Sequence, residues 1–291
     1  MDNHAQWAGV LVVLIFSWIY VMGRGIYMWR KEGRTAFFSS QNSNSNSMME
    51  GSMVGSTGLT MLKLYRAMCA IFLIVVIGFI SDDLRGHAFT KYTFWGLLIS
   101  TVYFIVSLKP FWGTKNERYT NFLLVVFTTE LFICIVYWSL FSDHYGDKTT
   151  AQQFHIVGAH AIVQLLLFVD LVACMMGDEK QKVKVSTVTF YLSAIFVIYC
   201  TAVYSYCYHN EEDFPYYVAD PNKEDASAAI VLGAMVLQVV LAVPVMAMYT
   251  QEWNIGSPKK IFLGQSHGFS HLESDATGAT STKSLGSNLH F

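Results

Sequence analysis

The sequence predicts an all-α, polytopic membrane helix bundle, and three observations carry that expectation. Only 14% of the 291 residues are charged, against roughly 25% in an ordinary soluble domain, while 53% are hydrophobic and 15% aromatic. The apolar residues arrive in seven blocks, each close to the roughly 20 residues that cross a hydrocarbon core of about 30 Å as a helix. The remaining charges sort by loop. A formal net charge of -2 gives no basic surplus for nucleic acid.

The blocks cover residues 7–28, 62–81, 90–108, 121–141, 154–176, 185–206 and 227–249. The first follows Met1-Asp2-Asn3-His4, carries Arg24 near its end and precedes Arg30, Lys31 and Arg34. A cleaved signal starts basic and ends small, so this block reads as a retained anchor. The second carries Arg66 near its start, which reads as an arginine snorkelling to an interface. On the third, Thr93, Gly96, Ser100, Tyr103 and Ser107 fall on one face at spacings of 3 and 4. The fourth holds Glu130, the fifth His160, Gln164 and Asp170, and the seventh Pro244. Trp7, Trp29, Tyr65, Trp112, Trp138 and Tyr249 gather near block ends, as an interfacial belt requires.

Loop charge sets the expected orientation. Arg30, Lys31 and Arg34, then Lys109, Lys115 and Arg118, then Lys180, Lys182 and Lys184, and finally Lys259 and Lys260 lie on one side. The other side holds Asp82, Asp83, Asp143 and Asp147, and an acidic loop from Glu211 to Asp225. The positive-inside rule then places the N-terminus outside or lumenal and the C-terminus in the cytoplasm, in the endoplasmic reticulum or the plasma membrane. The expected organisation is an anchor over 1–29, a flexible cytoplasmic linker over 30–61 containing QNSNSNS, a six-helix core over 62–249, and a disordered cytoplasmic tail over 250–291.

Several chemistries have no footing. Cys69, Cys134, Cys174, Cys200 and Cys207 show neither CxxC nor metal-ligand spacing and read as small packing residues. The sequence carries no P-loop and no N-x-S/T sequon. No metal or cofactor is expected. An ionisable group at membrane depth costs a few kcal/mol, so the few present are candidates for function. Two readings fit His160: a general base, or a histidine bonded across helices as structural glue. Two also fit the polar face of the third helix: a small-residue packing stripe, or a source of hydroxyls for chemistry. Topology brings Thr93 and His160 into the same half of the membrane, where they could form a nucleophile and base. Asp170 lies about 15 Å further along the fifth helix than His160, too far to complete a triad. Glu130 reads as a protonated acid bonded to a neighbouring helix, or as part of a wet cavity.

The pattern resembles a eukaryotic family of multi-pass membrane hydrolases, that of the androgen-induced protein and the androgen-dependent regulator of tissue factor pathway inhibitor. The likeness covers residues 62–249. It rests on Lys91-Tyr92-Thr93-Phe94 leading into 97–104, on Tyr137-Trp138, on His160 ten residues before Asp170, and on Phe214-Pro215-Tyr216 in the acidic loop. Val157 stands where the family has an additional histidine, and the first anchor is an addition. The resemblance implies hydrolysis of fatty acid esters of hydroxy fatty acids, with Thr93 as nucleophile and His160 as its base. Ser100, Trp138, Gln164 and Tyr216 are expected to line the site. The partner is a membrane lipid, with no nucleic acid. The alternatives are a seven-helix receptor, whose usual Asp-Arg-Tyr and Asn-Pro-x-x-Tyr marks are absent, and a proton-coupled transporter using Glu130 or Asp170.

Overall fold

In a computed structural model of the chain, residues 3–32, 55–84, 87–109, 117–141, 148–175, 183–223 and 226–250 are described. The QNSNSNS linker, the tail from 251, Trp112 and several of the sorted loop charges lie outside them. Every long element is helical: α1 Asn3–Glu32, α2 Gly55–Asp83, α3 Tyr92–Val106, α4 Glu117–Leu140, α5 Thr150–Met175, α6 Val185–Asn210 and α7 Ser227–Thr250. No strand occurs among the described residues. Helices suit a setting without water because each satisfies its backbone polar groups internally.

Six of these helices are long and apolar enough to cross a membrane, and the chain is a multi-pass membrane protein. The exception is α3, whose 15 residues fall short of the span expected over 90–108. Its first residues are diverted into a 3-10 turn, His87–Thr90, held by the Trp95 indole donating to the Phe89 carbonyl at 2.7 Å and the Tyr199 hydroxyl donating to the Thr90 carbonyl at 2.8 Å.

At the centre of the bundle, α4 packs against α3, α5, α6 and α7. Leu73, Leu97, Leu123, Leu124, Leu167 and Leu171 form its sealed middle. By contrast α1 touches α6 and α7, through Val10 and Leu14 on Phe196, Tyr199 and Val203. Its opposite face, with Leu11, Ile15, Phe16 and Ile19, is exposed as a lipid-facing surface should be.

Along the polar face of α3, Gly96, Ser100, Tyr103 and Ser107 are all buried, whereas Thr93 is half-buried. The lower four positions therefore pack. A Cβ built on Gly96 would lie 2.5 Å from the Ile133 methyl and 2.9 Å from Glu130 Oε1. Ile133 can turn aside, but the Glu130 oxygen accepts the Ser100 hydroxyl at 2.8 Å and cannot retreat without losing that bond. Gly96→Ala is accordingly expected to destabilise the protein by ~1–3 kcal/mol, the usual cost of overpacking. Thermal unfolding in detergent checks this, and an unchanged midpoint would count against the α3–α4 contact.

Arg66 departs from its expected role. It is 2% exposed, not at an interface, and its Nε donates to Asp170 Oδ1 at 2.9 Å. Asp170 Oδ2 accepts the hydroxyls of Tyr119, at 2.9 Å, and of Tyr103, while the guanidinium lies 4.9 Å from the centre of the Tyr119 ring. A guanidinium without a water path needs a carboxylate, and Asp170 on the facing helix supplies it. This is also why Asp170 is unavailable to His160.

Candidate active site

At the end of the bundle where α2, α4 and α6 finish and α3, α5 and α7 begin, a cavity of about 260 Å³ opens. Thr93 and His160 share its wall, although 67 positions separate them in the chain. Ile80, Phe94, Tyr137, Phe141, Ile156 and Ala159 make much of the remaining surface apolar. Polar and charged groups gather as well: Asp83, Lys91, Lys148, Gln152, His155 and Tyr216.

Thr93 is the second residue of α3, so it belongs to a turn whose backbone N–H groups have no partner within the helix. Lys91, in the capping position, supplies no side-chain bond. The Tyr216 hydroxyl takes that role from a distant loop: it accepts the Tyr92 N–H at 2.9 Å and also faces the Thr93 hydroxyl and backbone N–H. Burial raises the Tyr216 phenol above its ordinary range, with the surrounding donors opposing, so it stays a protonated hydroxyl.

The loop holding Tyr216 is itself fixed. Phe214 stacks on Tyr204 with ring centres 4.1 Å apart, and buried Asp220 accepts the N–H groups of Phe214 at 3.2 Å and Asn222 at 2.9 Å. Lys91 donates to the Pro215 carbonyl at 3.2 Å, and its ammonium lies 5.6 Å from the centre of the Tyr216 ring. The aromatic-Pro-aromatic turn therefore closes over the start of α3.

His160 sits in a π turn, Gly158–Ile162, inserted in α5. Such wide turns interrupt the regular ladder and recur at functional sites. Gly158 lets the turn approach α2 closely, since a Cβ there would meet Val76 at 3.1 Å. Tyr137 stacks face to face on the imidazole, centres 3.7 Å apart and planes within 10°. The Trp138 indole N–H donates to the His160 backbone carbonyl at 3.2 Å. The two aromatics of α4 thus hold the ring and the backbone of one residue. His160 Nδ1 is buried without a hydrogen-bond partner among the described residues.

Beside His160, the same wall carries a second imidazole. His155 Nε2 lies 3.7 Å from Asp83 Oδ2, and Gln152 Nε2 donates to Asp83 Oδ1 at 2.9 Å. Gln152 also forms the capping box of α5 with Thr149, which ties the Asp83 contact to the helix start.

Of the expected lining residues, Tyr216 lines the cavity and Ser100, Gln164 and Trp138 do not. Ser100 is turned into the α3–α4 interface by Glu130. Gln164 follows the π turn, which breaks the regular i, i+4 register that would place it under His160. Trp138 acts on the His160 backbone instead. His155, Asp83, Tyr137, Lys91 and Lys148 were not expected as site residues. Five residues separate His155 from His160, a spacing that shares a face only across a wide turn, and that turn has no plain sequence signal.

The fold and the cavity define a polytopic helical membrane protein with a threonine and a histidine facing one chamber near an end of the bundle. Compared with protein-family models, curated proteins and solved structures, the chain matches none.

Proposed function

We propose that this protein is an intramembrane lipid-ester hydrolase in which Thr93 is the nucleophile and His160 its base, acting on long-chain esters such as fatty acid esters of hydroxy fatty acids. The observation that carries the reading is the shared cavity wall of Thr93 and His160. A threonine hydroxyl is a weak nucleophile at neutral pH and needs an adjacent base. His160 has a nitrogen with no other protein partner among the described residues, and a flat aromatic holds its ring in place.

The lipid enters from the bilayer with its chains against the apolar wall. Thr93 Oγ attacks the carbonyl carbon while His160 takes the hydroxyl proton, then returns it to the departing alkoxide. Water next attacks the acyl-threonine and releases the acid. Tyr216, whose hydroxyl accepts the Tyr92 N–H and faces the Thr93 hydroxyl, stands close enough to the nucleophile to turn its O–H toward the developing oxyanion. Lys91 and Lys148 give the lining two ammonium groups against the single carboxylate of Asp83, which suits a substrate that carries a free carboxylate. The sorting of loop charge in the sequence favours an outer or lumenal position for this end of the bundle, in the endoplasmic reticulum or plasma membrane.

The test is hydrolysis, by the purified full chain, of a long-chain ester branched at the acyloxy carbon. His160→Ala is expected to lower turnover by about 10²–10⁴-fold, the usual contribution of a positioned base. Wild-type turnover in that variant would remove His160 from the mechanism.

A further inference from the structure

The cavity contains two imidazoles, and only one of them has an acid. Asp170 is engaged by Arg66 and two tyrosines, so His160 has no carboxylate from that source. His155 does, in Asp83 at 3.7 Å. Gln152 fixes that carboxylate from the other side, and Gln152 is fixed in turn by the helix cap of Thr149. Asp83 is 32% exposed and His155 12%, whereas His160 is 7% exposed beneath Tyr137. The His155–Asp83 pair thus lies on the more exposed side of the chamber, toward the start of α5.

An imidazole whose Nε2–H faces a carboxylate has its lone pair on Nδ1, and the carboxylate stabilises the imidazolium that forms when Nδ1 takes a proton. An imidazolium at His160 lacks that support. Resting on the hydrolase reading above, we propose that His155, oriented by Asp83, is the base of the second half-reaction, in which water releases the acyl group from Thr93. The water oxygen bonds to the acyl carbon as its proton passes to His155, and the bond from that carbon to Thr93 Oγ breaks. His155 returns the proton to Thr93 Oγ, so both residues finish as they began and the product leaves as the acid. Asp83 is then a positioning residue, touching the imidazole and not the substrate.

The experiment is rapid mixing of the full chain, in detergent or nanodiscs, with a chromogenic long-chain ester. In His155→Gln, alcohol release is expected as a burst of about one equivalent, followed by a steady state slowed about 10²-fold or more, with the acyl group found on Thr93 by mass spectrometry. Asp83→Asn is expected to show the same burst with a smaller slowing. Added imidazole is expected to restore turnover to His155→Ala and not to Thr93→Ala, a rescue that a merely structural role would not give. An unchanged steady state in His155→Gln overturns the proposal. So does a burst that falls in parallel with the steady state, because it would place His155 in acylation or in the fold. If unsubstituted protein neither turns over the ester nor takes a covalent hydrolase probe on Thr93, the hydrolase reading fails and this proposal goes with it. If Thr93 is labelled and only the His155 and Asp83 effects are missing, the failure belongs to this proposal alone.

Discussion

Replacing Thr93 with alanine is expected to lower turnover by about 10³-fold or more and to abolish labelling by a covalent hydrolase probe, because in the proposed mechanism it removes the atom that bonds to the acyl carbon. The fold should hardly notice. Thr93 is half-buried, and the bond that caps α3 runs from the Tyr92 N–H to the Tyr216 hydroxyl without using the threonine side chain. A stability loss of no more than about 1 kcal/mol is therefore expected, the usual worth of the one hydroxyl contact, to Tyr216, that the alanine gives up. Thr93→Ser keeps the oxygen and should retain both labelling and much of the turnover. Probe labelling followed by peptide mapping makes the comparison direct. Full turnover in Thr93→Ala would end the nucleophile assignment, whereas loss of activity together with a collapsed unfolding midpoint would indicate a structural threonine.

The largest expected effect on stability lies at the other end of the bundle. Arg66→Met leaves Asp170 buried at 0% exposure with two tyrosine hydroxyls and no cation, and Asp170→Leu leaves a guanidinium at 2% exposure with no anion. Either single change is expected to cost about 3–5 kcal/mol, since an unpaired charge remains where no water can reach it. The double variant Arg66→Met/Asp170→Leu removes both charges and is expected to recover most of that loss. Thermal unfolding of the four proteins in one detergent gives the coupling directly. Additive losses would mean that the two side chains do not act as a pair. Because this cluster is separate from the cavity wall, any activity the folded double variant retains should have the substrate preference of the parent.

The bundle was legible in the sequence because membrane crossing imposes a length and a composition, and both are local properties. That Thr93 and His160 line one cavity was legible for a related reason, because helix order and loop charge put both in the same half of the membrane. Thr93 is the second residue of α3, whereas His160 lies ten residues, about 15 Å, into α5. Both line the cavity with α3 starting two residues after its expected boundary and α5 four residues before its own. What stayed hidden depends on contacts between distant segments. Arg66 reads as an interfacial residue until Asp170 is seen opposite. Ser100 looks like a lining hydroxyl until Glu130 claims it, and His155 looks unremarkable until a π turn brings it onto the wall with His160. Tyr216 was expected near the site, but not as the group that caps the helix carrying Thr93.

The shortness of α3 bears on hydration. Fifteen residues of helix span about 22 Å, whereas the hydrocarbon layer is about 30 Å thick. A bilayer meeting such a segment thins locally, or the shortfall fills with something other than chain. Thr93 stands at the start of this short helix, and the cavity beside it is lined in part by Lys91, Lys148, Asp83 and His155. Ionisable side chains are more stable in water than in hydrocarbon, so water is expected to reach further into the molecule here than along its other helices. A group counted by sequence as intramembrane would then lie close to the aqueous boundary. A reaction that consumes one water per turnover can draw it from there without admitting water to the rest of the bundle.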